Sequence, residues 1–416
     1  MSKLVEILDY SRDGEWGKDS PFTDSLEMRV LRGTDFDKFH ELNFSSLPTR
    51  HIAKKHAFNK QLIGNDIVLE TAGGTQKKPT GRAVFITETA LDLLELPVVC
   101  ASFARVLRIN PAKAFPEFVY WALQASYNDG TMSAFNTQHT GVSRFQYTEF
   151  STRFELYLPE ILTQKKIASV LSAYDDLIAN NERRIKILEE MAQSIYREWF
   201  VNYRFPGHEN VKMVDSELGE IPEGWEVVNI KELLTYSSGA QPPKSTHIYE
   251  YQEGYIRFIQ NRDYRDPNAY ITFIPDSPKN KVCTELDIMV DKYGAAGTVR
   301  HGLKGAYNVA LAKLSPTQKN TREYLRSYLS QDRIKGYLEQ SSGASTRASL
   351  NAEHFNFPMA FPDASTLGSW EDLSTGIISW IFSCKSINQN LRQTRDLLLP
   401  KLISGQLDVG ELDIKV

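Results

Sequence analysis

Residues 163–203 read TQKKIASVLSAYDDLIANNERRIKILEEMAQSIYREWFVNY, and this stretch decides the fold of the chain. It contains neither glycine nor proline and is rich in Ala, Leu, Glu, Lys, Arg and Gln, which favour helices. Its apolar positions recur in alternating steps of four and three, the heptad pattern of a coiled-coil helix. The predicted seam consists of Ile167, Leu171, Tyr174, Ile178, Asn181, Ile185, Leu188 and Ile195. Pro206 and Gly207 end the helix.

A helix of this length, roughly 60 Å at 1.5 Å per residue, needs a partner because its apolar stripe is narrow. Residues 373–404 carry Ile and Leu at helical spacing, and Pro400 is expected to kink or end their last turn. Aligning NNERRIKILEEM with QNLRQTRDLLLP places Asn390 at the position of Asn181. A seam asparagine costs stability and fixes register, so a second seam is predicted through Ile387, Asn390 and Leu397. The alternative is two unrelated amphipathic helices.

The segments that precede the two helices resemble each other, which indicates an internal repeat. GNDIVLETAGG from Gly64 matches ELDIMVDKYGA from Glu285, each an apolar strand closed by a glycine-containing turn. MRVLRGTDF likewise matches YIRFIQNRDY, and the segment ending at Pro159 matches the one ending at Pro362. The chain therefore reads as a globular unit of strands and helices, a long helix, a second such unit and a second long helix.

The 416 residues suffice for two or three domains. No stretch reaches the ~18 apolar residues of a membrane span, and the first residues lack the apolar run of a signal peptide. The 3 cysteines, Cys100, Cys283 and Cys384, fit neither a disulfide framework nor a zinc site, which favours a cytoplasmic location.

The charge is unevenly distributed along the chain. The total is −4, from 48 Lys and Arg against 52 Asp and Glu. Residues 50–82 hold 7 basic and 2 acidic side chains, whereas residues 1–49 hold 6 and 10 and residues 206–235 hold 2 and 7. Basic clusters are thus masked in the total, although each one also fits an ordinary solvated face.

The motifs of common catalytic sites are absent from the sequence. GGTQKKPTG at 73–81 lacks the spacing of a phosphate-binding loop, and there is neither a dinucleotide fingerprint nor a G-x-S-x-G elbow. His51, His56 and His139 lack the spacing of metal ligands. We therefore expect no catalytic residue and no metal site, with an enzyme of dispersed active site as an alternative.

Three stretches carry a resemblance to a known family. They are LPEILTQKKIASVLSAYDDLIANNERRIKILEEMAQSIYREWFVNYRFPG, then ELGEIPEGWEVVNIKELL, and INQNLRQTRDLLLPKLISGQLDV near the C-terminus. Together they resemble the specificity subunit of type I restriction-modification systems. The resemblance is strongest over 159–235 and 385–409, and the two-repeat layout extends it to nearly the whole chain.

This resemblance implies an α+β fold of two similar target-recognition domains, separated by two long helices that form an antiparallel coiled coil with a pseudo-twofold repeat. The implied boundaries are 1–158 and 207–363 for the recognition domains, 159–206 for the first helix, and 364–416 for the second helix and tail. Each domain is expected to read one half of a bipartite DNA site, with the helices setting the gap.

The same resemblance implies partners and places the chemistry on them. The expected partners are double-stranded DNA, two methyltransferase subunits that carry S-adenosylmethionine, and motor nuclease subunits that use ATP and magnesium. This chain would hold no cofactor and contact no membrane. The alternative is a stand-alone coiled-coil protein that binds DNA or acts as a scaffold.

DNA affinity should come from Lys and Arg on phosphates, and specificity from a few side chains at base edges. Basic residues beside Gly, Asn or Ser in predicted loops are the candidates. Asn261-Arg262 and Ser345-Thr346-Arg347 are the attractive base readers, because Asn and Arg contact adenine and guanine bidentately. The candidates are Lys54, Lys55, Lys60, Lys77, Lys78, Arg82 and Arg144 in the first domain, and Lys244, Asn261, Arg262, Arg265, Lys292, Arg300, Lys304 and Arg347 in the second.

Overall fold

A computed structural model describes residues 1–74, 79–139, 142–265, 270–343 and 349–414. Within them the chain divides into two compact units. The first unit combines Met1–Asn181 with Ile387–Val416, and the second is Glu182–Ser386. Both divisions fall inside long helices, so each helix contributes to both units. The boundaries implied by the resemblance follow the helix ends instead and remain a prediction.

Short strands and helices make up the chain before the first long helix. The strands are β1 (Ser2–Lys3), β2 (Leu8–Asp13), β3 (Ser25–Leu31), β4 (Thr49–Ala53), β5 (Ile67–Glu70), β6 (Ala72–Gly74), β7 (Ala83–Phe85), β8 (Val98–Cys100), β9 (Ala104–Ile109), β10 (Asn136–His139), β11 (Val142–Phe145) and β12 (Glu155–Leu156). The helices are α1 (Leu4–Ile7), α2 (Phe36–His40), α3 (Lys54–Lys60), α4 (Glu88–Asp92), α5 (Pro116–Asn128) and α6 (Tyr147–Arg153). Helix α5 begins at a proline, which suits the first helical position because its missing amide hydrogen has no partner there.

The first long helix is α7 (Ile161–Tyr196), which continues into a π-helical turn at Arg197–Val201. After it come β13 (Met213–Ser216), β14 (Gly219–Pro222), β15 (Glu226–Asn229), β16 (Leu234–Ser238), β17 (Tyr255–Ile259), β18 (Phe273–Pro275), β19 (Val282–Cys283), β20 (Ile288–Asp291), β21 (Val299–Arg300), β22 (Gly305–Tyr307), β23 (Leu311–Pro316) and β24 (Pro358–Phe361). The helices of this part are α8 (Ile230–Leu233), α9 (Arg322–Leu329), α10 (Asp332–Gly343) and the second long helix, α11 (Ala364–Ile403).

Helix α11 starts where the side chain of Asp363 accepts hydrogen bonds from the amides of Ser365 and Thr366, at 2.9 and 3.0 Å. Pro400 lies inside the last turn, which ends at Ile403. In the part of the chain that the structure describes, no helix is both long enough and apolar enough to span a membrane.

The sheets confirm the internal repeat. A four-stranded sheet of order β2-β9-β5-β7 in the first unit corresponds to β16-β23-β20-β21 in the second. Its central strands pair in equivalent register, Ile67 with Leu107 and Ile288 with Leu314. A second sheet, β4-β3-β8 in one unit and β18-β17-β22-β19 in the other, contains a parallel pair in both, β3 with β8 and β17 with β22.

Each unit also has elements of its own. In the first, strands β10 and β11 form a hairpin that pairs with β6, next to the end of β5. In the second, β13 and β14 form a hairpin directly after the long helix. The short pair β1 with β12 corresponds to the longer pair β15 with β24. The repeat therefore preserves the central sheets and varies at their margins.

Each unit has its own apolar core, to which the long helices contribute. In the first unit, Ile167 and Leu171 of α7 are buried together with Phe118 of α5. In the second, Phe200 and Trp370 lie with their ring centroids 5.4 Å apart inside an aromatic cluster. Because edge-to-face rings and burial both stabilise such clusters, the helix ends are fixed firmly in the two cores.

The predicted seam residues of α7 are buried or half-buried in the structure. The buried residues on this helix include Ile167, Leu171, Ile178 and Asn181. The remaining seam residues are half-buried: Tyr174, Ile185, Leu188 and Ile195. The four-and-three spacing therefore identified the face of this helix that is covered.

The predicted seam of α11 is wrong. Ile387 and Leu397 are 49% and 69% exposed, and Asn390 is exposed as well. The buried asparagine is Asn388. A shift of two residues turns a side chain by about 200° around a helix with 3.6 residues per turn, so it moves to the opposite face. The alignment of the two helices chose the wrong one of two nearby asparagines.

Polar contacts fix the pairing of the two helices within the first unit. The Nδ2 of Asn181 donates to Oδ1 of Asn388 at 2.8 Å, and the Nδ2 of Asn388 donates to the carbonyl oxygen of Ile178 at 3.1 Å. Farther back along α7, Asp175 forms an ion pair with Arg395. As the residue numbers fall along α7 they rise along α11, so the helices run antiparallel here.

The carboxylate of Asp175 also binds the first globular segment. The Nε2 of His40, at the end of α2, lies 2.9 Å from Oδ2 of Asp175. This hydrogen bond raises the pKa of His40 against the effect of burial. Burial opposes the charge on Asp175, yet His40 and Arg395 together lower its pKa. One carboxylate thus joins α2, α7 and α11.

We predict that replacing the buried asparagine of α11 destabilises the protein, because N388L leaves the Asn181 amide without its partner. The expected loss of unfolding free energy is about 1–3 kcal/mol, measured by denaturant unfolding of the intact chain. The double variant N181L/N388L should recover most of the loss, since two leucines pack where two amides met. The matched control is N390L, which lies on the exposed face and should change stability by less than about 0.5 kcal/mol. An N390L variant less stable than N388L would contradict this assignment.

Candidate nucleic-acid interface

The same local structure follows the first strand of the parallel pair in both units. In the first unit, β3 leads into a 3-10 turn at Gly33–Asp35. The carboxylate of Asp35, only 2% exposed, accepts hydrogen bonds from the amide of Arg32 at 3.1 Å and from its guanidinium at 2.7 and 2.9 Å. The turn is therefore closed by a buried carboxylate, which holds its backbone in one conformation.

A strand-end carboxylate supports this turn from the side. Glu70, the last residue of β5, accepts two hydrogen bonds from Arg82, at 2.8 and 3.0 Å. Arg82 also donates to the carbonyl oxygen of Gly33 at 2.7 Å. The site is tight, because a Cβ added at Gly33 would lie 2.3 Å from Oε1 of Glu70. A side chain at this position would displace the Glu70 carboxylate from Arg82.

The second unit repeats the arrangement after β17. A 3-10 turn spans Asn261–Tyr264, and the amide of Gln260 donates to the buried carboxylate of Asp263 at 2.8 Å. Asp291, the last residue of β20, accepts from Nδ2 of Asn261 at 3.0 Å. Both units thus place one carboxylate in the turn and another at the end of the neighbouring strand.

An arginine completes the second arrangement, as in the first. Arg300 donates to Oδ2 of Asp291 at 2.9 and 3.2 Å. Burial raises the pKa of Asp291 even though Arg300 acts in the opposite direction. Burial likewise raises the pKa of Asp263. These carboxylates are positioned for structure, since their hydrogen bonds are directed into the protein.

The predicted DNA-contacting residues fall into three groups. Those exposed to solvent are Lys54, Lys55, Arg144, Lys244, Arg262, Arg265 and Lys304. Those that are half-buried with partners inside the protein are Lys60, Arg82, Asn261, Lys292 and Arg300. Lys77, Lys78 and Arg347 lie outside the described residues. DNA contact by the whole set stays a prediction.

The internal partners give several of these cations a structural role. The Nζ of Lys60 donates to the carbonyl oxygen of Gly14 at 2.8 Å and to Glu15 at 3.0 Å. Arg82 is 15% exposed and paired with a glutamate that is 5% exposed. Removing one member of the Arg82–Glu70 pair would leave a buried charge, so Arg82 positions the turn at Gly33, whereas Lys60 holds the segment at Gly14 and Glu15.

Exposed aromatic rings accompany two cations of the second unit, and sequence reasoning missed them. The guanidinium carbon of Arg262 lies 5.5 Å from the ring centroid of Tyr270, and Nζ of Lys292 lies 5.6 Å from that of Tyr293. Lys292 and Tyr293 are adjacent in the sequence and were a visible signal, whereas Tyr270 follows Arg262 by eight positions and was not. Sequence reasoning also missed Asp35 and Asp263. Both are visible in the matching strings MRVLRGTDF and YIRFIQNRDY, where each is followed by the final aromatic residue.

The described residues offer little for a metal or a reactive nucleophile. Among them, no group of three His, Cys, Asp or Glu is arranged to hold a metal ion. Burial raises the pKa of the Cys100 and Cys283 thiols to about 12, so both stay protonated at neutral pH. What the two units share is an edge made of the turn with its buried aspartate and the strand-end carboxylate with its arginine. The exposed cations next to this edge are Arg144, on the hairpin that pairs with β6, in the first unit and Arg262, in the turn itself, in the second. Exposed cations are suited to binding a polyanion.

Comparison with known proteins gives a consistent answer. The family model described as "Type I restriction modification DNA specificity domain" matches residues 1–190 and 222–362. The chain is 26% identical over 317 residues to the specificity subunit of the type I restriction enzyme MjaIX of Methanocaldococcus jannaschii, covering 71% of this chain and 70% of that one. It is 21% identical over 393 residues to the HindI specificity subunit of Haemophilus influenzae, covering 79% and 84%.

The fold is also similar to a solved structure. The S subunit of a type I restriction-modification system from M. genitalium superposes with a TM-score of 0.61, at 13% identity, over 97% of this chain and 95% of that chain. At such low identity the likeness concerns the fold alone. The agreement extends over both repeats and both long helices.

We predict that R82A destabilises the protein by roughly 3 kcal/mol, because it leaves Glu70 buried without its cation. Denaturant unfolding of the intact chain measures this loss. The control is K55A, a change at an exposed lysine on α3 that should cost less than about 0.5 kcal/mol. If R82A unfolded at the same denaturant concentration as K55A, the structural role of Arg82 would be wrong.

Proposed function

The chain belongs to the type I restriction-modification DNA specificity family, and on this premise we propose that its two globular domains each read one half of a bipartite DNA site. The protein is the DNA specificity subunit of such a system. We assign the reading domains to residues 1–158 and 207–363, with the long helices in 159–206 and 364–416 setting the gap between half-sites.

The observation that carries this proposal is the duplicated edge. There are two copies of one scaffold, each a strand, a turn closed by a buried aspartate and a strand-end carboxylate held by an arginine. An exposed cation lies next to each copy, Arg144 in the first unit and Arg262 in the second. Reading a base requires side chains held on a rigid support, and gripping phosphates requires cations that are open to solvent. A protein with two such supports is suited to two separate stretches of DNA.

We propose a division of tasks among the candidate residues. The exposed cations Lys54, Lys55, Arg144, Lys244, Arg262, Arg265 and Lys304 would contact DNA. Arg82, Asn261 and Arg300 would position the edges from within, and Lys60 would hold the segment at Gly14 and Glu15. Lys77, Lys78 and Arg347 remain candidates for DNA contact on sequence grounds. Lys292 belongs to both groups. Its Nζ donates to the Ser238 hydroxyl at 3.1 Å inside the protein, and its neighbour Tyr293 is exposed.

Chemistry is assigned to partner subunits in this proposal. Two methyltransferase subunits would dock on the helix regions and bring S-adenosylmethionine, and motor nuclease subunits would bring ATP and magnesium. This chain would select the site and carry no active centre. Its three buried, unpaired cysteines support a reducing compartment, the cytoplasm.

We predict that co-expression with the methyltransferase subunit encoded beside it yields a stable complex that methylates a bipartite sequence. Purified complex and genome-wide methylation mapping in a methylation-free host provide the two measurements. The chain alone, incubated with DNA and S-adenosylmethionine, should transfer no methyl group. A lone chain that binds DNA without joining the methyltransferase would favour the stand-alone coiled-coil alternative, and methyl transfer by the chain alone would favour an enzyme.

We also predict that lengthening both long helices by one heptad widens the gap in the methylated sequence. The insertions belong between Asn181 and Glu189 in α7 and between Lys385 and Asn388 in α11, because Asn181 pairs with Asn388 in one unit and Glu189 lies 3.7 Å from Lys385 in the other. Seven residues add roughly 10 Å, so the gap should grow by at most about three base pairs. The matched control inserts a heptad into α7 alone, which breaks the pairing and should destabilise the protein. An unchanged gap after the double insertion would refute the role of the helices as a spacer.

A further inference from the structure

The repeat singles out one position at which the two recognition edges differ. One hydrogen bond is common to both turns: the amide of Arg32 donates to Asp35, and the amide of Gln260 donates to Asp263. This bond makes Arg32 equivalent to Gln260, Gly33 to Asn261 and Asp35 to Asp263. Between them stands Thr34 in the first unit and Arg262 in the second, and both residues are exposed. The position is thus held on both sides by the scaffold while its own side chain faces solvent.

The turn aspartate of the first unit pairs with Arg32, so that unit needs no cation at the position of Thr34. With a threonine there, the first unit retains its buried aspartate, its strand-end carboxylate and the supporting arginine. In the second unit the residue equivalent to Arg32 is the uncharged Gln260, and Arg262 forms an ion pair with the buried Asp263 instead, 3.7 Å from Nε to Oδ1. This distance is too long for a hydrogen bond, so the scaffold holds the guanidinium of Arg262 only loosely.

The surroundings of Arg262 prepare its guanidinium for an external partner. Its side chain is 52% exposed, and its guanidinium carbon lies 5.5 Å from the centroid of the Tyr270 ring. Tyr270 is itself 57% exposed, so the pair stands on the surface. An arginine beside an aromatic face loses less rotational freedom on binding, which favours a defined contact over a diffuse one.

Other arginines of the same edge are used differently. Arg300 is 22% exposed and donates twice to Asp291, so its donors point into the protein. Arg262 has the planar set of donors that matches two acceptors in one plane, and on DNA that partner is the O6 and N7 of guanine in the major groove.

From this arrangement we propose that Arg262 is a specificity-determining residue, which contacts a guanine in the half-site read by the second domain. The inference rests on the DNA-reading role proposed above and adds the base and the residue that reads it. Thr34, at the equivalent position, cannot make this contact, so the two domains differ in what they read here.

The test uses the complex of the full chain with its methyltransferase subunit in a methylation-free host. R262T introduces the residue that the equivalent position carries, and R262K keeps the charge but loses the planar fork. In both variants, genome-wide methylation mapping should show one G·C position of the second half-site becoming degenerate. Discrimination at that base pair should fall roughly 10- to 100-fold in R262T, with every other position unchanged.

The matched control is R153T, at an arginine on α6 that is 72% exposed and paired with Glu149 outside the edge. It should leave the methylated sequence as it is. Thermal unfolding of R262T at the wild-type temperature would establish that the variant is folded.

Three results would overturn the inference. In the first, both variants methylate the wild-type sequence, R262T more weakly and R262K as strongly as the wild type. A lysine that replaces Arg262 without loss would indicate a contact with a phosphate, not with a base. Another is degeneracy confined to the first half-site, and the third is an unchanged map in both variants. If the wild-type complex methylated no bipartite sequence, the proposed function itself would fail, and this inference with it.

Discussion

The pairing of the two long helices is the constraint on which the rest of the structure depends. A helix of 36 residues with a single apolar stripe is unstable alone in water, because most helical stability in proteins comes from covering an apolar face. Helix α7 covers its stripe in both units, with Ile167 and Leu171 in one core and Phe200 of the adjoining turn in the other. Neither globular segment is complete without a helix end, so forming the pair and forming the two cores are one event.

Polar groups inside this pairing restrict it to one register. Apolar side chains in place of Asn181 and Asn388 would retain most of the stability, but they would not fix the register of the two helices as the paired amides do. The carboxylate of Asp175 also fixes the register, because its contacts with His40 and Arg395 form at only one axial position of α7 relative to α11. For a protein whose proposed task is to measure distance along DNA, a helix pair that cannot slip is a functional requirement as well as a structural one.

The sequence predicted the covered face of α7, the two-repeat layout and the matching strands, because heptad spacing and strand patterns are local signals. It failed at Asn390, since an alignment of two repeats cannot tell which of two nearby polar residues faces the partner helix. It also could not separate Arg82 from Lys55, as both are basic residues in a basic segment. Only the fold brings Glu70 to Arg82, and twelve residues of chain separate them. Whether a cation is exposed or paired is a property of tertiary contacts, which composition and spacing do not encode.

The difference between exposed and paired cations also determines how the net charge of the chain affects DNA binding. A net charge of −4 is unfavourable for binding DNA only if cations and anions act on the same surface. Here some cations are neutralised inside the scaffold, as Arg82 by Glu70 and Arg300 by Asp291, and these contribute little to the field outside. The exposed cations reach the edge by different routes in the two units. In the first, Arg144 comes from the inserted hairpin and pairs in register with Ala72, whereas in the second Arg262 comes from the turn itself. One scaffold can therefore carry two different readers, because the residues that hold the edge together are separate from those that face outward.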